Sequence, residues 1–281
     1  MSFCYWTVAD NDHAELALAM VKSARAAGVT EEIIVYTDRE GIERFVDEGV
    51  GVVTLLNCGV FDHAYYLFKF DFLIKVAEAR PEHDYYVFLD ADCMFVRNPP
   101  PWEPLLRKNN WFAQMENNFL SPFVCRQDWW GCPVKFFIQT LRYKGVTSDR
   151  IYNTNAGMFI VRKGFQDDFR SRALEFFKYC RHELGLKDFT EEAALAYVGH
   201  LVDDPETNTL AMTSKWWATE WIHQFNDYKL PDGKMWFFED YLTGERHKVN
   251  PAIVHCLKAK EAMRLYARGL PLPPKPEERK P

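Results

Sequence analysis

The first third of the chain alternates between short apolar runs and segments in which apolar residues have helical spacing. The apolar runs, which are typical of buried strands, lie at residues 3–8, 32–37 and 50–56. Between them, apolar residues recur at helical spacing over residues 14–27 and 42–48, and Gly28 ends the first of these segments. A strand-helix-strand-helix-strand order predicts an α/β fold, with a mostly parallel central sheet flanked by helices.

The later part of the chain continues this pattern less regularly. Helices are predicted at residues 65–79 and 165–184, and strands at residues 110–115 and 158–161. A further helix is expected to begin at Glu191, with Thr190 as its N-cap. Residues 117–150 give no assignable pattern.

The stretch from Tyr85 to Val96 consists of two apolar runs separated by two aspartates. The first run predicts a buried strand, and Asp90 and Asp92 follow it. Because side chains alternate along a strand, both carboxylates are expected on the same side. Buried acids need a counter-charge, and carboxylate oxygens suit Mg²⁺ or Mn²⁺ bound together with phosphates. Such a short motif is also common in ordinary acidic loops, so its interpretation depends on the rest of the chain.

Composition narrows the class of protein. With 281 residues and 48% hydrophobic content, the chain can form one large domain with a substantial core. A net charge of −6 argues against a general nucleic-acid-binding surface. The N-terminal residues lack signal-peptide features, and no uncharged apolar segment approaches the roughly 18 residues of a membrane span. The seven cysteines are scattered and include no C-x-x-C pair, as expected for free thiols in a cytoplasmic protein. The sequence leaves the oligomeric state open.

Six short segments follow one another in a characteristic order. They are Thr7-Val8-Ala9-Asp10-Asn11-Asp12, Lys69, Leu89-Asp90-Ala91-Asp92, Asn153-Thr154-Asn155-Ala156-Gly157, Glu191-Glu192-Ala193-Ala194-Leu195 and Ile253-Val254-His255. In this order they resemble the GT-A nucleotide-sugar-dependent glycosyltransferases, particularly the metal-dependent retaining branch with glycogenin-like and galactosyltransferase-like enzymes. The resemblance covers residues 3 to 260 or so. It implies a Rossmann-like GT-A domain over residues 1–263, with a nucleotide-binding half at about 1–115 and an acceptor half at about 116–263. The Pro- and charge-rich tail, residues 264–281, is expected to be flexible.

The resemblance also implies roles for individual residues. Donor-binding candidates are Thr7, Val8, Ala9, Asp10, Asn11, Lys69, Asp90, Ala91 and Lys258. Asp38, a polar strand end, is a further candidate for the ribose or base. The metal ligands would be Asp90, Asp92 and His255, and the catalytic candidates are Asn155, Glu191 and Glu192.

Two departures from the family pattern leave assignments open. Glu191-Glu192 stands where Asp-Gln is commoner, so either acid is a candidate for facing the reacting sugar. After His255 the usual G-x-x-K-P-W is absent, and Lys258 and Lys260 are the nearest candidates for a diphosphate lysine. Inversion would require one of the acids as a base, whereas the resemblance favours retention.

The resulting hypothesis is a glycosyltransferase (EC 2.4 class) that uses Mn²⁺ or Mg²⁺ and a nucleoside-diphosphate sugar, with UDP favoured. Its acceptor would be a carbohydrate or another hydroxyl compound. A modified DNA base is an alternative acceptor that the net charge disfavours. A nucleotidyltransferase would carry a Gly-rich loop, which residues 9–12 lack, and a non-catalytic sugar-nucleotide-binding relative stays open. The tryptophan-rich segments around residues 129–130 and 216–221 form either an acceptor site or core.

Overall fold

The computed structural model describes most of the chain. The described residues are 1–47, 53–57, 66–106, 109–120, 128–129, 132–148, 151–187, 189–202, 217–219, 223–225, 236–240, 246–249, 251–257 and 259–271. The chain divides into two compact units. Unit 1 comprises residues 1–6, 60–89 and 101–213, and unit 2 comprises residues 7–59, 90–100 and 214–281.

The elements are numbered here in chain order. The strands are β1 (Phe3–Ala9), β2 (Glu32–Thr37), β3 (Val53–Asn57), β4 (Tyr85–Leu89), β5 (Cys93–Phe95), β6 (Trp111–Leu120), β7 (Asp128–Trp129), β8 (Cys132–Pro133), β9 (Ile151–Arg162), β10 (Trp217–Thr219), β11 (His223–Phe225), β12 (Trp236–Asp240), β13 (Arg246–Val249) and β14 (Ile253–His255). The helices are α1 (Asn11–Ala26), α2 (Arg39–Asp47), α3 (Phe68–Ala79), α4 (Glu103–Leu106), α5 (Val134–Tyr143), α6 (Gln166–Lys178), α7 (Glu191–His200) and α8 (Lys260–Ala267).

The largest sheet has six strands in the order β3-β2-β1-β4-β9-β6. Strand β1 runs parallel to β4, and β2 runs parallel to β3. Strand β9 is antiparallel to both of its neighbours, β4 and β6, so the sheet is mixed. The predicted α/β class with a mostly parallel, helix-flanked sheet is confirmed.

Aromatic side chains fill the core of unit 1. Phe88 of β4 and Phe159 of β9 stack with ring centroids 4.8 Å apart, and Trp6 lies 4.7 Å from Phe88. Phe159 also contacts Phe169 of α6 at 5.3 Å. Burial of such large side chains is the main stabilising contribution to this sheet and to the helix that covers it.

Two helices begin earlier than the sequence pattern indicates. Helix α1 begins at Asn11 because the Asp10 carboxylate caps it, accepting a hydrogen bond from the His13 backbone N–H. Helix α2 begins at Arg39, where Asp38 accepts from the Gly41 N–H at 2.8 Å. Both first turns begin with polar residues, so apolar periodicity does not indicate them.

The structure adds detail at three other places. The helix predicted over residues 165–184 is α6 followed by a π-helical segment, Tyr179–Glu183. Thr190 has the extended backbone of an N-cap but makes no capping hydrogen bond, and its buried hydroxyl has no partner among the described residues. Helix α5 lies in the region without an assignable pattern.

No helix in the described part of the chain is long and apolar enough to cross a bilayer.

Candidate active site

The two aspartates lie in a turn between β4 and β5. Strand β4 ends at Leu89, and the Cys93 backbone N–H donates to the Asp90 carbonyl oxygen at 3.1 Å. The strand therefore ends where the sequence placed the acids, but Asp90 and Asp92 lie in a turn and not along one face of a strand, because the chain passes here into a second, three-stranded sheet of order β10-β14-β5. Within this turn Asp92 is buried and Asp90 is half-buried.

The second sheet brings His255 to the aspartates. Strand β14 is antiparallel to β5, with His255 opposite Cys93, and the Cys256 N–H donates to the Asp92 carbonyl oxygen at 2.8 Å. The His255 Nε2 atom lies 3.0 Å from Asp92 Oδ1 and 3.8 Å from Asp90 Oδ2. The structure thus brings together the three residues that the sequence proposes as metal ligands, although His255 is more than 160 residues from the two aspartates in the chain.

The spacing of these three side chains fits a divalent ion. One ligand atom from each residue lies within 4.8 Å of the others. Ligands bound to one Mg²⁺-sized ion at about 2.1 Å are about 3.0 Å apart at right angles and about 4.2 Å apart when opposite. The observed 3.0 Å and 3.8 Å fall in this range. Two carboxylates and an imidazole form a mixed O/N set that suits Mn²⁺ as well as Mg²⁺.

A lysine completes the surroundings of Asp92. Lys260 Nζ, at the start of α8, lies 2.9 Å from Asp92 Oδ2. Burial by itself would raise the pKa of the Asp92 carboxyl, but His255 and Lys260 together hold that pKa well below its usual range. Asp92 is therefore ionised at neutral pH. Lys258, the other diphosphate candidate, lies outside the described residues.

Trp217 packs against the imidazole of this cluster. Its side chain is fully buried, and its ring lies 5.4 Å from the His255 ring at an angle of 43°. Strand β10, which carries Trp217, runs parallel to β14. Trp217 is thus a core residue beside a candidate ligand. Trp130, Trp216 and Trp221 lie outside the described residues, so their proposed acceptor role stays a prediction.

The candidate nucleoside turn lies at the ends of β1 and β2. Thr7, Val8 and Ala9 are buried, and the Thr7 hydroxyl has no hydrogen-bond partner among the described residues. The carboxylates of Asp10 and Asp38 cap α1 and α2, so both have a structural role. The side chain of Asn11 is outside the described part of the structure, and Ala91 is buried within the acidic turn.

A second cluster of predicted site residues lies in unit 1. Lys69 of α3 is only 3% exposed, and its ammonium donates to Glu191 Oε1 at 3.1 Å and to the Ala156 carbonyl oxygen at 3.3 Å. Lys69 is therefore not a solvated lysine on a helix surface. The buried Asn155 side chain accepts from the Gly157 N–H at 2.8 Å, in the part of β9 where its register with β6 shifts.

Glu191 and Glu192 have different surroundings although they are adjacent in the chain. The Glu191 carboxylate pairs with Lys69 and is buried, whereas Glu192 is half-buried. Consecutive helix residues point about 100° apart, so Glu192 projects in another direction from the first turn of α7. The structure thus separates two acids that the sequence left equivalent.

Sequence reasoning missed three contacts of these clusters: Lys69 with Glu191, Lys260 with Asp92, and Trp217 with His255. Each joins residues that are distant in the chain, and no local pattern signals such pairs. The sequence did name Lys260 as a diphosphate candidate, but not as a partner of an aspartate.

Comparison with known proteins extends these findings. No family model matches the sequence, and no curated protein matches it either. Among solved structures, the galactosyltransferase LgtC, crystallised with donor and acceptor sugar analogues, matches with a TM-score of 0.52 at 17% sequence identity. The match covers 97% of this chain and 98% of that chain. The chain therefore has the GT-A fold of that galactosyltransferase.

Proposed function

We propose that this protein is a divalent-metal-dependent glycosyltransferase that moves a sugar from a nucleoside diphosphate to a hydroxyl acceptor. The observation that carries the proposal is the cluster of Asp90, Asp92 and His255, whose side chains fit one divalent ion. The fold shared with a galactosyltransferase supports the same activity. UDP is the favoured nucleotide and Mn²⁺ the favoured ion, as the family resemblance implies.

The residues of unit 2 would act on the leaving group. Asp90, Asp92 and His255 would hold the ion, which when bound supplies Lewis-acid stabilisation of the diphosphate charge. Lys260 carries a positive charge at the same carboxylate and would contact the diphosphate. We assign the nucleoside to the turn from Thr7 to Asn11, at the end of β1.

Lys69, Asn155, Glu191 and Glu192 are the residues that we assign to the donor sugar. Lys69 is hydrogen-bonded to Glu191, so both residues would position other groups of the donor site and would not react themselves. Glu192 is the acid that we assign to the reacting face of the sugar, and Asn155 would contact a sugar hydroxyl. We propose retention of anomeric configuration. Nucleotide binding is assigned to about residues 1–115 and acceptor binding to about 116–263.

The acceptor is proposed to be a carbohydrate. The net charge of −6 favours a carbohydrate over DNA, because a DNA-binding surface requires neutralisation of phosphates. A nucleotidyltransferase is disfavoured, because the first strand is followed by Asp10-Asn11-Asp12 and not by a Gly-rich loop.

The test is release of nucleoside diphosphate from a panel of UDP-, GDP- and ADP-sugars, each with Mn²⁺ and with chelator. We expect turnover of one donor with Mn²⁺, none with chelator, and none by an Asp92→Asn variant. Asp71→Asn is the matched control, because Asp71 pairs with Arg170 on an exposed surface. Turnover by D92N at the wild-type rate, or no turnover of any donor, would overturn the proposal.

A further inference from the structure

Lys260, the first residue of α8, and His255 both contact the carboxylate of Asp92. Lys260 Nζ lies 2.9 Å from Asp92 Oδ2, and His255 Nε2 lies 3.0 Å from Oδ1 of the same carboxylate. The Asp92 side chain is 10% exposed and that of Lys260 is 37% exposed. A half-exposed ammonium thus occupies one oxygen of a buried carboxylate that we assign to the metal.

The position of α8 does not depend on this ion pair. At the other end of the helix, the Arg268 guanidinium donates to both Glu15 oxygens, at 3.1 Å and 2.7 Å. Glu15 also pairs with Arg44 at 2.9 Å, and Lys22 Nζ donates to the Ala267 carbonyl oxygen. These contacts fix the C-terminal end of α8 on α1, so the helix holds Lys260 near Asp92 whether or not the two are paired.

The positive charge of Lys260 opposes binding of a positively charged ion at Asp92. Without a metal, the ammonium compensates part of the negative charge of Asp90 and Asp92. The two carboxylates alone neutralise a divalent ion, and the ammonium then adds an uncompensated positive charge at close range. A bound diphosphate would reverse this balance, because its negative charges can hold the ion and the ammonium together.

We propose that Lys260 is a tethered counter-ion that opposes binding of the free divalent ion at Asp92 and favours binding of the ion together with a nucleoside diphosphate. This inference rests on the proposed function, since it uses the same metal site. The ammonium moves from the Asp92 carboxylate to the diphosphate when both ligands bind. The site therefore holds the ion weakly until the donor arrives, and the order of binding is set by one lysine.

The test is direct binding of Mn²⁺, followed through the electron paramagnetic resonance signal of the free ion, without any assay of activity. We expect Lys260→Met to bind Mn²⁺ about fivefold more tightly than wild type, as removal of a half-exposed ion pair allows. At saturating Mn²⁺, the same variant should bind UDP at least about fivefold more weakly, because it lacks the charge-assisted contact. Lys260→Arg, which keeps the charge, should bind both ligands within about twofold of wild type.

Arg264→Met is the matched control on the same helix. Arg264 lies one turn after Lys260 and pairs with Glu261 instead of Asp92, so its loss should leave both affinities unchanged. Equal or weaker Mn²⁺ binding by K260M, or unchanged UDP binding, would overturn the inference and leave the proposed function standing. A wild-type protein that binds no Mn²⁺ even in the presence of UDP would overturn both.

Discussion

The Lys69 ammonium donates to the Glu191 carboxylate across 3.1 Å, and both side chains are buried. The same ammonium lies 5.2 Å from the centre of the Phe88 ring, which adds a cation–π contact. A buried charge is tolerated only when it is paired. The pair therefore joins α3 to the first turn of α7.

Removal of the lysine should destabilise the protein strongly. We expect Lys69→Met to lower the free energy of unfolding by about 3–5 kcal/mol, because it leaves the Glu191 carboxylate buried without its counter-charge. The double variant Lys69→Met/Glu191→Leu should recover most of this loss, since two apolar side chains can replace a whole buried pair. Urea unfolding followed by circular dichroism measures both.

The control for this prediction is the exposed pair of Arg170 and Asp71. Arg170→Met should cost less than about 1 kcal/mol, because exposed ion pairs contribute little. A double variant as unstable as Lys69→Met alone would contradict the assignment of Glu191 as a buried, paired acid.

The two adjacent glutamates should respond differently to neutral substitution. Glu192→Gln is expected to lower kcat at least about hundredfold, the usual range for loss of a group that stabilises charge at the reacting centre, and to lower the free energy of unfolding less than Glu191→Gln does. Glu191→Gln should lower the free energy of unfolding, because it removes the charge that pairs with Lys69. Initial rates and urea unfolding of both variants test this division. A fully active E192Q would exclude Glu192 from the reacting face.

A buried histidine should make stability depend on pH. Burial lowers the pKa of His200 from 6.5 to about 4, although the hydrogen bond to the Ala196 carbonyl oxygen opposes this shift. The unfolded chain therefore takes up a proton at higher pH than the folded protein. The free energy of unfolding is therefore unaffected by His200 above about pH 6.5. It falls by up to about 3 kcal/mol as the pH falls from 6.5 towards 4.

The variant that isolates this effect is His200→Gln. Its free energy of unfolding should fall less steeply than that of wild type between pH 6.5 and pH 4. Urea unfolding at several pH values measures both slopes, and acids common to the two proteins cancel in the comparison. Parallel slopes would show that His200 titrates alike in the folded and unfolded chain.

Trp217 offers an optical signal for occupation of the metal site. Its ring is 5.4 Å from that of His255, so paramagnetic Mn²⁺ held by His255 should quench its fluorescence, whereas diamagnetic Mg²⁺ should not. Trp217→Phe should lose most of the Mn²⁺-dependent quenching. Trp102→Phe removes an indole whose N–H donates a hydrogen bond to the Tyr5 hydroxyl in unit 1, and this variant should retain the quenching. Identical quenching in W217F and wild type would place the ion elsewhere.

The sequence predicted the parts of this protein that depend on local patterns. The run from Glu32 to Thr37 is a strand with the predicted bounds, because β-branched and aromatic residues filled it and Asp38 ended it. Asp90, Asp92 and His255 could be proposed as one cluster because their order along the chain resembles a family. Their contact itself depends on the pairing of β5 with β14, which no local pattern encodes.

The sequence could not predict features that arise from tertiary contacts. The sequence placed the acids at the end of a strand, but the turn that they form depends on the passage of the chain from one sheet into another. Glu191 and Glu192 looked equivalent because the partner of Glu191, Lys69, is more than 120 residues away. The first turns of α1 and α2 were missed because polar caps, and not apolar residues, begin them.

The most direct test of a metal-dependent nucleotide-sugar site is a thermal-shift panel of nucleoside diphosphates and nucleotide sugars, each with and without Mn²⁺, on wild type and D92N. Ligands that bind the folded state raise the unfolding temperature by mass action. We expect a shift with UDP that requires Mn²⁺ and is absent in D92N. No shift with any nucleotide in the presence of Mn²⁺, or the same shift in D92N, would contradict the assignment of Asp90, Asp92 and His255 as the metal site of a glycosyltransferase.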